Sequence, residues 1–385
     1  MKKFLITGGA GFLGYHLAAE LGRRGEGIII FDIAPIDLKE YPAGVVYIKG
    51  DVRDAAALRQ AAAGVEVIIH AAAALPLCRA SEIKSVSVDG TKNVLAAAKE
   101  AGIPRLVYVS STAVYGVPRT KSHCQSSECC AVKSEAAFGS SRQVNEDSSL
   151  GLVRGVPKKH PIEEIDQRVG VGPYGESKIA AEKLCEVARA ADFCVPIIRP
   201  KTFIGTGRLG VFQILFDWLR QGRRIPVIGT GTNRYQLLEV SDLVKAILLA
   251  ATAPRELAND TFNVGAKQFG RVKDDVAALC AYARSGSMVL PTPAWLVKPV
   301  LAILRVLKLS PLYKWVYATA DRDSFVSTEK IERQLGWQPR FSNAAALTNA
   351  YQWYLDHWPE LQGQSGVTHR VAWKQGVLGL LRRFL

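Results

Sequence analysis

Acidic residues and paired cysteines are both scarce in this 385-residue chain. The seven cysteines, at positions 78, 124, 129, 130, 185, 194 and 280, fall into no metal-ligand spacing and no disulfide framework. A structural zinc site and a disulfide-stapled fold are therefore excluded, no metal is expected, and a reducing, cytoplasmic setting follows. Asp and Glu total 35 against 49 Lys and Arg, a formal charge of +14. That deficit of acid suits phosphate-rich ligands or an anionic membrane surface, with a merely solvated basic surface as the plain alternative. No nucleic-acid partner is expected. No apolar run is long enough to span a bilayer: the best stretch, Pro293 to Leu309, is broken by Lys298, Pro299, Arg305 and Lys308. No cleavable leader is expected either, because Met1-Lys2-Lys3 runs straight into the first strand.

What is present is concentrated at the N-terminus. Phe4 to Ile6 is a short apolar run that breaks into glycines spaced three apart, Gly8, Gly11 and Gly14, and then into a helix carrying Leu13, Leu17 and Leu21. Gly8 permits a tight turn, Gly11 lets backbone approach a pyrophosphate, and Gly14 lets helix and strand pack closely. The helix start offers N–H groups and a positive dipole end to phosphates. This pattern predicts dinucleotide binding.

Gly27 to Phe31 reads as the next strand and ends at Asp32, where a carboxylate accepts hydrogen bonds from ribose hydroxyls and repels a 2′-phosphate. No Lys or Arg follows until Lys39, so NAD is expected over NADP. After a strand at Val45 to Ile48, Asp51 stands where an adenine would lie, or else caps the helix that starts near Ala55.

Further on, strands at Val65 to His70 and Arg105 to Val109 flank a helix at Gly90 to Lys99. The alternation predicts an α/β fold, a Rossmann-type doubly wound parallel sheet with a smaller C-terminal substrate lobe. Ligands of such sheets sit at the carboxyl ends of the strands. Ser110-Ser111-Thr112 is at one such end. Gly172-Pro173-Tyr174 then opens a helix to about Ala190, with Tyr174 and Lys178 four apart on one face. A phenol ordinarily titrates too high to serve as a base at neutrality, and an adjacent ammonium favours its phenolate. Tyr174 would take the proton of a substrate hydroxyl, Ser111 would hold that oxygen, and Lys178 would acidify Tyr174 and grip the nicotinamide ribose.

Together these motifs, with His70-Ala71-Ala72-Ala73, Arg199-Pro200 before Gly205, and Asn233-Arg234 ahead of Val240-Ser241-Asp242-Leu243, resemble the extended short-chain dehydrogenase/reductase family. That family holds nucleotide-sugar epimerases and dehydratases and the 3-beta-hydroxysteroid dehydrogenases. The resemblance implies a catalytic triad of Ser111, Tyr174 and Lys178. It implies an NAD site formed by Gly8, Gly11, Phe12, Leu13, Gly14, Asp32, Asp51, Val52, Ala71 and Ala72 with Tyr174 and Lys178, and a homodimer built on helices that include the tyrosine helix. In family dehydratases and decarboxylases an acidic residue follows the catalytic serine or threonine. Thr112 and Ala113 stand there instead, which leaves reversible oxidation or epimerisation.

For substrate the leading expectation is a nucleotide sugar, held by Ser111, Thr112, Thr202 and a diphosphate clasp of Arg234 and Arg322. Two departures count against it: Ser87 and Thr202 replace asparagines common in sugar epimerases, and Arg234-Tyr235-Gln236-Leu237-Leu238-Glu239 lacks the acidic and histidine residues common there. The alternative is a sterol-like or other lipid alcohol at a membrane surface. Pro293 to Leu309 would then lie in the interface, its stripe of Lys298, Arg305 and Lys308 towards the headgroups. A non-catalytic NAD-binding scaffold is the third reading, and the complete triad argues against it.

The expected organisation is an NAD domain at 1–198 completed by 233–265, a substrate lobe from 199–232 and 266–340, and a helix with a basic, apolar tail at 341–385. Gly116-Val117-Pro118-Arg119 recurs as Gly155-Val156-Pro157-Lys158, an offset of 39 that marks 117–155 as a mostly disordered in-frame insertion.

Overall fold

Short runs of Ile, Val, Leu and Phe, each ending in a glycine or polar turn, set the frame. The computed structural model describes residues 1–76, 78–116, 160–207, 212–306, 317 and 319–361, the side chains of 305 and 306 excepted. The 117–155 insertion and the tail beyond 361 lie outside the described residues.

The chain alternates strand and helix through β1 (Lys3–Thr7), α1 (Phe12–Arg23), β2 (Gly27–Asp32), β3 (Val46–Lys49), α2 (Ala55–Ala62), β4 (Val67–His70), α3 (Ala80–Lys84), α4 (Gly90–Glu100), β5 (Arg105–Val109), α5 (Gly172–Ala188) and β6 (Ile197–Pro200). It then passes through β7 (Thr202–Ile204), α6 (Phe212–Arg220), β8 (Ile225–Ile228), β9 (Leu237–Glu239), α7 (Val240–Thr252) and α8 (Arg255–Ala258). With β10 (Thr261–Val264) it returns to the sheet. Seven strands pair in the order β3-β2-β1-β4-β5-β6-β10, all parallel. The order reverses between β1 and β4, the place at whose carboxyl ends such sheets bind their ligands.

Helices cover both faces, which is why the strands read as unbroken apolar runs rather than alternating ones. Leu17 and Leu21 of α1 pack with Leu243 and Ile247 of α7 on one face; Leu58, Val94, Ala181 and Cys185 of α2, α4 and α5 pack on the other. A second core belongs to the smaller lobe. There Phe216 and Trp218 meet Tyr351 and Tyr354 of the helix Asn343–Asp356, beside α9 (Val272–Ala283) and the paired strands β8 and β11 (Val289–Thr292). Asp242 ties the C-terminal part to the first core: its main-chain oxygen accepts from Trp337 Nε1 at 2.9 Å, and its carboxylate accepts the Arg340 and Phe341 N–H groups at 2.9 and 3.1 Å.

Of the charge stripe expected on α10 (Ala294–Val306), only Lys298 has a described side chain: it pairs with Asp321 at 2.6 Å, and Leu301 beside it is buried, while the Arg305 side chain and Lys308 lie outside what is described. The outward face is apolar, with Trp295 78%, Leu296 50%, Val300 44% and Ile303 59% exposed. At about 100° per residue these four fall within roughly 140° of one another. No helix among the described residues is long and apolar enough to cross a membrane.

Candidate active site

The glycine turn after β1 is built around close approach. Gly8 adopts φ +75°, and a Cβ there would lie 2.7 Å from the Ala72 main-chain nitrogen, so the Ala71–Ala72 segment beyond β4 presses directly on it. A Cβ on Gly14 would meet Gly8 and Gly9 backbone at 2.5 Å, which holds α1 against the turn. Gly11 is exposed and forms the start of α1, whose first turn has no side-chain cap. Phe12 and Leu13 are buried behind it, Phe12 stacked on Phe203 at 5.8 Å. At the end of β2 the Asp32 carboxylate accepts N–H groups from Ala10 at 3.0 Å and Ala34 at 2.9 Å. Burial pushes its pKa up while these bonds pull it down. A concave backbone turn, an uncapped helix start and a fixed carboxylate one strand away fit an adenine dinucleotide with a free ribose 2′-hydroxyl.

Asp51 is not the cap of α2. Asp54 is, accepting from the Ala56 and Ala57 N–H groups at 3.0 and 3.1 Å, because the helix begins one residue after it. Asp51 is held by the Arg53 guanidinium, which lowers its pKa. Val52 is buried with its side chain under Gly90, so an adenine contact at this position would run through its main chain.

The three catalytic candidates stand on two elements. Ser111 follows β5 and starts a short 3₁₀ turn, its Oγ accepting from the Ala113 N–H at 3.2 Å; the hydroxyl proton is left to donate elsewhere. Tyr174 lies in the first turn of α5, half-buried, and Lys178 one turn along is 2% exposed. Lys178 Nζ donates to the Val109 carbonyl at 2.8 Å and rests 4.9 Å from the Tyr108 ring centroid. Tyr174 is among the charges that raise Tyr108's own pKa, so the phenol and ammonium share this end of the sheet. Burial brings Lys178 down to about 8, opposed by the Glu182 carboxylate. His70 is structural: its two ring nitrogens contact Thr7 and Thr91 hydroxyls at 2.7 and 3.0 Å, and burial lowers it to about 3.

The substrate candidates are gathered only in part. Thr112 donates to the Pro200 carbonyl at 3.3 Å, and the Thr202 and Tyr235 hydroxyls are 2.9 Å apart. The segments bearing Arg234 and Arg322 run side by side, since Asn233 donates to the Arg322 carbonyl and Ser324 to the Arg234 carbonyl. The Arg234 guanidinium, however, is stacked 4.8 Å from the Phe269 centroid and 4.6 Å from that of Phe325. Glu182, Arg199 and Lys201 were not foreseen as part of this region. Glu182, another turn beyond Lys178, carried the readable signal: it continues the Tyr174 and Lys178 face. Lys201 carried none. Among the described residues no group of His, Cys, Asp and Glu could hold a metal ion.

Comparison with known proteins agrees with this geometry. The 3-beta hydroxysteroid dehydrogenase/isomerase family model matches residues 5–150, and the NAD dependent epimerase/dehydratase family model matches residues 148–265. An uncharacterized protein of Sinorhizobium fredii is 31% identical over 99% of this chain and 86% of its own length. A 3 beta-hydroxysteroid dehydrogenase/Delta 5-->4-isomerase of Mycobacterium tuberculosis is 26% identical over 97% of this chain and 95% of its own. A solved UDP-glucose 4-epimerase of Thermotoga maritima superposes with a TM-score of 0.69 at 18% identity, covering 92% of this chain and 99% of that one. On the likeness that runs along its whole length, the chain belongs to the extended short-chain dehydrogenase/reductase family, whose members are NAD-dependent epimerases, dehydratases and dehydrogenases.

Proposed function

We propose that the protein is an NAD-dependent dehydrogenase of an apolar secondary alcohol, sterol-like or otherwise lipid, met at a membrane surface. The observation that carries this reading is the outward apolar face of α10 on the substrate lobe, with Trp295 78% exposed and Ile303 59%. A helix whose Lys298 is paired with Asp321 while its apolar side faces outward has no use for that face in water. The relative named as a hydroxysteroid dehydrogenase, which matches over nearly the whole chain, supports the same substrate class. A nucleotide sugar draws less support, because Arg234 stacks on two phenyl rings and serine and threonine stand at Ser87 and Thr202.

The chemistry follows from the chain's own residues. Ser111 donates to the substrate oxygen and keeps the carbinol in register. Tyr174 withdraws the hydroxyl proton, its phenolate favoured by the Lys178 ammonium one turn away. NAD, when bound, supplies the acceptor for the hydride that leaves the same carbon, and a ketone results.

The test is NADH formation by the purified enzyme supplied with 3β-hydroxysteroids in one series and UDP-glucose in another. Oxidation of the steroid alone is expected. Turnover or binding of UDP-glucose, with the steroid inert, would remove the proposal.

A further inference from the structure

Lys201 is the first residue beyond β6, at the carboxyl edge of the sheet, and is only 4% exposed. Its Nζ donates to Ser324 Oγ at 2.7 Å and lies 4.9 Å from the Tyr235 ring centroid. The residue before it is fastened to the catalytic segment, since Thr112, next to Ser111, donates to the Pro200 carbonyl. His160 belongs to the same corner. Its ring stacks on Phe325 at 4.5 Å, the Lys201 charge acts on it, and its Nε2 is buried without a hydrogen-bond partner.

The carboxylate in this corner, Asp323, acts on His160 and accepts the Arg234 N–H at 2.7 Å; Lys201 has no anion of its own among the described residues. Lys178 has the Glu182 carboxylate nearby, and Lys298 and Lys330 form ion pairs with Asp321 and Asp260. Among the described residues Lys201 forms no ion pair with a carboxylate, and burial alone brings its amine down to about 7. A buried cation without a counter-charge is costly, and replacement by an apolar residue of similar shape would relieve that cost. Such a group is explained by a charge that arrives with a ligand.

We propose that Lys201, with Ser324 and His160 beside it, is a subsite for a carboxylate that the substrate carries close to its reacting hydroxyl. One ammonium beside one hydroxyl matches a singly charged carboxylate. A diphosphate asks for a bidentate fork, which a lysine ammonium does not offer; the nearby guanidinium, Arg234, rests against the Phe269 and Phe325 rings instead of joining Lys201. The proposal rests on the reading of the cleft as a site for an apolar secondary alcohol, and adds the acid group to that substrate.

The experiment uses the NAD-loaded enzyme and calorimetric titration with 3-hydroxydodecanoate, its methyl ester, and UDP. The acid is expected to bind about 30-fold tighter than the ester, the worth of one charge-assisted contact. In K201M that preference should fall to about threefold or less, and in S324A by an intermediate amount. Ligand-free K201M should melt at or above the wild-type temperature, because the uncompensated amine no longer has to be buried. Equal binding of acid and ester, or a preference that survives in K201M, overturns the subsite while ester binding leaves the apolar-alcohol reading intact. Binding of the acid but not the ester is the same preference at its extreme and keeps the subsite; binding of UDP with neither acid nor ester bound sinks the apolar-alcohol reading as well. UDP binding that depends on Lys201, or failure of the acid to bind, overturns the carboxylate assignment.

Discussion

Arg199 holds Glu182 through two parallel hydrogen bonds, Nε and Nη2 to separate carboxylate oxygens at 2.9 and 2.8 Å, with both residues all but sealed from water. Ser110 and Arg168 donate to the same carboxylate at 2.5 and 2.9 Å, and Arg199 Nη1 reaches the Tyr115 hydroxyl at 2.7 Å. Glu182 thereby locks α5, the helix of Tyr174 and Lys178, to the ends of β5 and β6.

Removing one side of this pair leaves the other charge buried. Glu182→Gln is expected to destabilise the fold by about 3–5 kcal/mol in urea titration, whereas the double variant E182M/R199M loses much less because no charge is stranded. A second readout separates position from stability. Glu182 raises the Lys178 pKa, so without its charge Lys178 holds its proton less well near pH 8 and supports the Tyr174 phenolate less. The acidic limb of the pH profile for alcohol oxidation should move to higher pH in Glu182→Gln. An unmoved limb would confine Glu182 to stability.

Tyr174 and Lys178 are separable by what each variant keeps. Tyr174→Phe should slow oxidation by about a thousandfold while NAD still binds within a few-fold of wild type, since only the proton acceptor is lost. Lys178→Met should lower turnover and weaken NAD together, because in the proposed mechanism one ammonium serves both the phenol and the nicotinamide ribose. Stopped-flow hydride transfer with parallel titration of NAD distinguishes the two. Equal losses in both variants for both quantities would contradict the assigned roles.

The features legible in sequence were those whose physics is local. A strand, three glycines and a helix lie within a dozen residues, and Tyr174 and Lys178 within one helical turn, so spacing alone carries their geometry. The parallel sheet was legible because burial on both faces leaves unbroken apolar runs. What escaped depended on chain remote in sequence. Lys201 is defined by Ser324 and Tyr235, and Glu182 by Arg199 and Ser110, contacts that no window along the chain contains. Asp51 was weighed as a helix cap because it stands just ahead of a helix expected near Ala55, and the observed start of α2 makes Asp54 the cap. The pairing of Lys298 escaped because its partner, Asp321, lies 23 residues on, beyond any helical spacing.

We propose that Asp32 governs the choice of cofactor. Its carboxylate is fixed by the Ala10 and Ala34 N–H groups at the end of β2, so it is aimed rather than free to swing from a 2′-phosphate. Asp32→Ser removes the repulsion and the acceptor together. The ratio of kcat/KM for NAD over NADP is expected to fall by about a hundredfold, a loss of roughly 2.7 kcal/mol of discrimination. Initial rates with both cofactors measure it, and an unchanged ratio would show that another group reads the ribose.

The outward face of α10 makes a prediction independent of catalysis. Trp295, Leu296, Val300 and Ile303 form one exposed apolar strip, on a chain whose formal charge is +14. Insertion of the strip into a bilayer surface would bury two or more large side chains, each worth about 1.5–3 kcal/mol when fully transferred. Anionic headgroups would add an attraction that falls with salt. The protein is expected to sediment with vesicles containing phosphatidylglycerol, and less so as ionic strength rises. The double variant W295A/I303A keeps every charge, so its vesicle affinity should drop by about a hundredfold through the apolar contribution alone, consistent with roughly 3 kcal/mol for two partly exposed side chains. The same variant should show wild-type NAD binding, since neither residue touches the glycine turn. If W295A/I303A sediments as well as the wild type does, attraction is electrostatic only, and the strip covers something other than lipid.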